Sequence, residues 1–184
     1  NYSFLTEETG KIENNDKNKI WIIDPIDGTT NFLHGIPHFA ISVGLISNDE
    51  IKSGLIFDPI KNEMFYAEKD NGAFFNNERI RVSKKNKLTE CLFATGGKKY
   101  NFIKEISTRK SGCAALDLAY VASGRYDGYC QSNLNLWDIA AGLIIIKEAG
   151  GVINDIDLNN HKNLNVIASS PNINDEFIKK ISNF

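Results

Sequence analysis

Apolar residues in this chain fall into short runs, and the runs change character part-way along. Lys19 to Asp24 is an apolar run that stops at Pro25, as a buried strand would. Asp27 to Asn31 has the residue types of a turn leading into a helix start. Phe39 to Ile46 and Ile51 to Phe57 are apolar and rich in β-branched residues, and Ser47-Asn48-Asp49-Glu50 between them reads as a hairpin turn. Glu63 to Glu68 adds a further strand, and Asn76-Asn77 turns the chain into Arg79 to Val82.

Beyond about residue 90 strands alternate with helices. Leu92 to Thr95 is a short strand ending at Gly96-Gly97. Ala114 to Ala122 is apolar nearly all round and predicts a buried helix, closed by Ser123-Gly124. Tyr126 to Gln131 predicts a strand, and Trp137 to Ala149 a long buried helix stopped by Gly150-Gly151. Val152 to Ile156 and Asn165 to Ala168 predict strands, and Ile173 to Ile181 a final amphipathic helix. The reading is an α+β or α/β layered fold in one structural unit: residues 1–106 as an antiparallel-sheet half, residues 107–184 as an α/β half.

Composition narrows the class. With 184 residues, 42% of them hydrophobic, the chain has ample material for one core. A net charge of -2 gives no support to RNA or DNA as a partner. The dense run Lys84-Lys85-Asn86-Lys87 reads as a solvated loop. Cys91, Cys113 and Cys130 lack metal-ligand spacing and read as reduced thiols of a cytoplasmic protein. No apolar run approaches the length of a membrane span. The chain does not begin with Met, and its true N-terminus is expected to lie upstream.

The chemistry concentrates in acids. Asp24-Pro25-Ile26-Asp27-Gly28-Thr29 ends a buried strand with two carboxylates on one tight turn. Two such groups repel unless a cation lies between them, and hard oxygen ligands favour Mg2+. Pro25 restrains its own φ and the residue before it, so it pre-orients both acids, and the Ile26 carbonyl can point the same way. Gly28 lets a phosphate approach the backbone, and the amides of Gly28 and Thr29 suit an anion. Asp138 opens an otherwise apolar helix, where it serves either as a capping carboxylate or as a third metal ligand. Glu7-Glu8 alone is an acidic loop. Two residues separate Asp24 from Asp27, which disfavours the Asp-x-Asp arrangement of a phospho-aspartate enzyme and the alternate-position acids of an EF-hand.

Together these segments resemble the inositol monophosphatase family, and most of all its bacterial extragenic suppressor branch. Trp21 to Phe32 is similar to the family's first signature; Trp137 to Gly142, followed by Glu148 to Gly151, is similar to the second. Thr6 to Gly10 resembles the upstream Glu-Glu-Ser element, and Gly112 to Tyr120 is also family-like. The resemblance implies an α-β-α-β-α sandwich whose two N-terminal helices are absent from this chain. It implies a homodimer that is Mg2+-dependent and Li+-sensitive, and that hydrolyses a small phosphomonoester, inositol 1-phosphate first. It implies Glu7, Asp24, the Ile26 carbonyl, Asp27 and Asp138 as ligands for up to three Mg2+. Thr29 with Glu7 would position the attacking water, Gly28 and Thr29 would hold phosphate, and Gly112 and Ala114 would line the substrate ring.

The likeness has gaps. The family's inositol-contacting Glu, seven residues before the second-motif Asp, aligns with Gln131. The stretches from Gly97 to Arg109 and around Asn159 to Leu164 are shorter than usual. Other phosphatase activities of the same fold, on fructose 1,6-bisphosphate, histidinol phosphate or 3′-phosphoadenosine nucleotides, are the alternatives, together with a regulatory, RNA- or transcription-associated member of the family.

Overall fold

The computed structural model, which describes residues 2–97 and 106–182, opens on a strand that the hydrophobic pattern does not mark, β1 (Tyr2–Thr6). A short β2 (Gly10–Ile12) returns antiparallel along its outer edge. The long β3 (Asp16–Asp27) then enters on the other flank of β1 and runs parallel to it, with Leu5 opposite Ile22. The expectation of a purely antiparallel first half is corrected here: with β2 on one edge, β3 pairs with β1 in the same direction.

A five-residue helix α1 (Thr29–Leu33) leads into the meander β4 (Ala40–Ser47), β5 (Glu50–Asp58), β6 (Glu63–Glu68), β7 (Gly72–Phe75) and β8 (Glu78–Arg79). All eight strands form one sheet in the order β2-β1-β3-β4-β5-β6-β7-β8. Asn48 and Asn77 sit at the hairpin turns with φ of 53° and 71°, a region that Asn tolerates and that matches the strand twist. The strand expected at Arg79 to Val82 shrinks to two residues.

The second sheet has five strands: β9 (Leu92–Thr95), β10 (Ser107–Arg109), β11 (Gly128–Leu134), β12 (Val152–Ile153) and β13 (Leu164–Ser169), ordered β10-β9-β11-β13-β12. Strands β10, β9 and β11 are parallel, so their carboxyl ends share one edge. The strand expected at Tyr126 to Gln131 lies two to three residues later, because the backbone amides of both Arg125 and Tyr126 bond back to Tyr120 O. Of the strand expected at Val152 to Ile156 only Val152–Ile153 pairs.

Helices α2 (Ala114–Ala122) and α3 (Leu136–Glu148) lie between the sheets: α3 touches β3 to β7 and also β12, while α2 touches β11, β13, β4 and β5. This is why both are apolar all round. Ile139, Ile145 and Ile146 are wholly buried, and each stabilises the fold by about 1.5–3 kcal/mol. Close approach needs small residues: a Cβ at Gly54 would lie 2.7 Å from the Ala141 backbone on α3. A final helix α4 (Asn174–Ser182) packs outside the second sheet, with Phe177 stacked 4.5 Å from Phe93. The layers are thus β-α-β-α, as the layered reading requires. The outer face of the large sheet carries Trp21, Leu45, Phe57 and Tyr66, all half-buried.

Candidate active site

In a regular strand, residues three apart face opposite ways. Asp24 and Asp27 escape this because the β3–β4 ladder shifts register between them: Asp24 pairs with Ser42 but Asp27 pairs with Ala40. The bulge at Pro25-Ile26 puts both acids on the buried side, with Asp24 1% and Asp27 9% exposed. Asp24 Oδ1 accepts the Ile26 N–H at 2.9 Å. Gly28 has φ of 90°, and a Cβ there would press to 3.2 Å on His38 O and 3.3 Å on Cys113 Cβ. The Thr29 hydroxyl donates to Ile26 O at 2.9 Å, and the carbonyl keeps a second lone pair.

The second half of the chain closes on this turn. Asp27 Oδ2 accepts the Ala115 N–H at 2.6 Å and the Cys113 thiol at 3.0 Å. The Asn31 amide bridges His38 O and Ser111 O at 2.8 and 2.9 Å, tying α1 to the loop before α2. On α3 the helix-capping position is held by Asn135; Asp138 is the third helical residue, and its Oδ2 accepts the Asn135 N–H at 2.7 Å. The capping expectation is thus modified: Asp138 is not the cap itself but closes the capping box from the third position, and it also lines the site cavity.

Every site residue expected from the sequence lines one cavity of about 450 Å³: Glu7, Asp24, Ile26, Asp27, Gly28, Thr29, Gly112, Ala114, Gln131 and Asp138. Burial pushes the Asp24 carboxyl up to about 8, reinforced by the charges of Asp27, Glu7 and Asp138. Burial pushes Asp138 up to about 7 against the Asn135 amide, and Asp27 up to about 6 against the bonds from Cys113 and Ala115. Among the described residues no three acids, imidazoles or thiols already stand as a closed metal shell. Burial is the larger cause in each of the three acids, and the charges of neighbouring carboxylates add to it. The donor set is all oxygen and all anionic apart from one carbonyl. Oxygen donors of this kind suit a hard divalent cation.

Sequence reasoning missed some of the lining. Asn31, Thr95, Gly96, Lys110, Ser111 and Asn135 also face the cavity. Asn135, directly before an apolar helix, carried a readable capping signal. Cys113 carried none. All three cysteines are free, as expected, and buried, but only the fold reveals that Cys113 bonds Asp27 of the cavity.

The profile of the inositol monophosphatase family matches residues 1–184. The chain belongs to the inositol monophosphatase family. It is 45% identical over 170 residues to an inositol-1-monophosphatase of Mesorhizobium japonicum, covering 85% of this chain and 64% of that protein. It is 46% identical over 191 residues to a fructose-1,6-bisphosphatase/inositol-1-monophosphatase of Thermotoga maritima, covering 97% of this chain and 73% of that protein. The crystal structure of extragenic suppressor protein suhB from Bartonella henselae superposes with a TM-score of 0.92 at 41% identity, over 98% of this chain and 75% of that one. The chain thus spans just under two thirds of the Mesorhizobium protein. Among the described residues, no helix of this family member is long and apolar enough to cross a membrane.

Proposed function

We propose that this chain is a Mg2+-dependent phosphomonoesterase that hydrolyses a small phosphorylated alcohol, with inositol 1-phosphate as the reference substrate. One observation carries this reading: acids from both halves of the chain, Glu7, Asp24, Asp27 and Asp138, line a single cavity beside the turn at Gly28 and Thr29. Glu7, Asp24, the Ile26 carbonyl, Asp27 and Asp138 hold the cations, up to three per subunit. Bound there, Mg2+ neutralises phosphoryl charge and eases the ionisation of water near neutral pH. The amides of Gly28 and Thr29 donate to phosphoryl oxygens. Glu7 and the Thr29 hydroxyl orient the attacking water in line with the leaving alcohol, with no covalent enzyme intermediate. Gly112, Ala114 and Gln131 line the side that receives the alcohol. The working form is a cytoplasmic homodimer inhibited by Li+.

The test is phosphate release from inositol 1-phosphate with Mg2+, with EDTA, and with added Li+. Mg2+-dependent, Li+-sensitive release is expected; no release from any small phosphomonoester overturns the reading. A relative of Haemophilus influenzae named Nus factor SuhB, 39% identical over 196 residues, supports a second reading in which the chain serves as a regulatory binding protein with RNA or transcription partners. An Asp27→Asn variant that loses turnover but keeps the cellular role would select it.

A further inference from the structure

We infer that Asn31 is a positioning residue: its amide fixes the spacing between the turn that holds the phosphate and the wall that receives the alcohol, and thereby sets how sharply the site discriminates among alcohols. The inference rests on the phosphomonoesterase reading and deepens it.

Helix preference does not explain an Asn as the third residue of the five-residue α1, because its side chain competes with the backbone for hydrogen bonds. Asn31 is also only 8% exposed, and a buried amide needs partners. It finds them outside its own helix. The two N–H groups of Nδ2 go to two backbone carbonyls, His38 O at 2.8 Å and Ser111 O at 2.9 Å. Carbonyl oxygens accept and never donate, so turning the amide over would set oxygen against oxygen twice. Both donors are committed and the orientation is fixed. The Asn31 carbonyl accepts the Ile36 N–H at 2.9 Å, so side chain and backbone of one residue together close the segment between α1 and β4.

Gly28 and Thr29, whose amides face the phosphate, lie just before Asn31 in the chain. Ser111 lies 80 residues away, in the loop between β10 and α2 that carries Gly112. The joint between them is tight. A Cβ on Gly112 would press 3.2 Å on Asn31 Nδ2 and 3.3 Å on its Oδ1. A Cβ on Gly28 would press 3.2 Å on His38 O and 3.3 Å on Gly112 O. The phosphate turn, the His38 carbonyl and the loop of the alcohol wall thus meet around one amide. Within that loop the Cys113 N–H donates to Ser111 Oγ at 3.1 Å, so the grip on Ser111 carries through to the start of α2 and Ala114. A substrate that touches both ends of the cavity gains from a fixed spacing, and one whose leaving group departs unaided gains little.

The experiment uses Asn31→Leu, close to Asn in volume but without donors, and Asn31→Ser as a second, smaller variant. Turnover with Mg2+ is measured on inositol 1-phosphate and on p-nitrophenyl phosphate, which carries a good leaving group. Amide hydrogen exchange is followed at Cys113 and, as the control, at Ile145 in α3. In the variants kcat/KM for inositol 1-phosphate should fall about tenfold or more relative to p-nitrophenyl phosphate, mostly through KM. Exchange at Cys113 should quicken about tenfold or more beyond any change at Ile145. An even loss on both substrates, or Cys113 exchange that keeps step with Ile145, marks an amide that only stabilises the fold; either result overturns the inference and leaves the phosphatase reading standing. Failure of both variants to fold overturns it in the same way. If the wild type fails on either substrate, exchange decides alone: selective release of Cys113 upholds the spacing role, and its absence overturns that role. Failure on both substrates counts separately against the phosphatase reading.

Discussion

The Cys113 thiol stands 3.0 Å from Asp27 Oδ2, although 86 residues separate the two in the chain. With the Ala115 amide at 2.6 Å on the same oxygen, the start of α2 holds the carboxylate that the end of β3 presents. The joint between the two halves of the fold is therefore also a joint of the site.

Removing the thiol tests this joint. The hydrogen bond from Cys113 favours the ionised form of Asp27 and opposes the burial that lifts the group to about 6. Cys113→Ala should lift Asp27 further, by roughly one unit for one lost bond to a charged group. The acid limb of Mg2+ binding should then move to higher pH, and move less in Cys113→Ser, which keeps a donor. Calorimetric Mg2+ affinity measured across pH 5 to 8 reads the shift; coincident limbs would show that the thiol does nothing for Asp27.

The three buried acids make a pH prediction of definite sign. Burial, with the neighbouring acids, pushes Asp24, Asp27 and Asp138 up to about 8, 6 and 7 in the folded protein, against 3.8 for the ordinary group. The folded state thus holds protons that the unfolded chain has released. Their contribution to stability is fully present below about pH 4 and is lost as pH rises through 6 to 8. Metal-free protein should melt progressively lower from pH 5 to pH 8, by about 2–4 °C for each kcal/mol lost. Mg2+ should restore more at pH 8 than at pH 6, because it binds the ionised form. Scanning calorimetry with EDTA and with Mg2+ checks both signs.

Asp24→Asn separates stability from cation binding. The substitution removes a carboxyl that burial and three neighbouring acids disfavour as an anion. At pH 8 the metal-free variant should melt several degrees above wild type while gaining almost nothing from Mg2+. A variant that melts lower without metal, or that is still stabilised by Mg2+ as wild type is, would show that Asp24 is a structural acid.

Gly54→Ala probes the packing that aims Asp138. The new Cβ would meet the Ala141 Cα and carbonyl oxygen and Ile144 Cγ2, each at 2.7 Å, and two of these atoms belong to the α3 backbone. Such overpacking costs about 1–3 kcal/mol. Because α3 carries Asp138 at its start, Mg2+ affinity should fall along with the urea midpoint. An unchanged midpoint would mean that the sheet and helix are less tightly apposed than these distances require.

Much of the site could be read along the chain because its chemistry is local. Asp24 and Asp27 share one turn, Gly28 follows at once, and Asp138 opens a helix too apolar to face water. Other features were not legible, since they depend on pairing. The parallel partnership of β1 with β3 needs β2 to occupy the far edge. The late start of β11 follows from bonds back to Tyr120. The place of the Gln131 amide depends on the Tyr129 hydroxyl in its own strand and on the missing Cβ of Gly96 beside the neighbouring one.

By itself the sequence determined the elements, the apolar faces they bury and which residue types can bind a cation and a phosphate. Those follow from propensity, periodicity and side-chain chemistry, which act over a few residues. Only the tertiary structure decided that a register shift turns Asp27 to the side of Asp24, and that Cys113 bonds Asp27. Each of these is set by atoms distant in the chain or by ladder geometry, and no local preference encodes such contacts until the sheets and helices have packed.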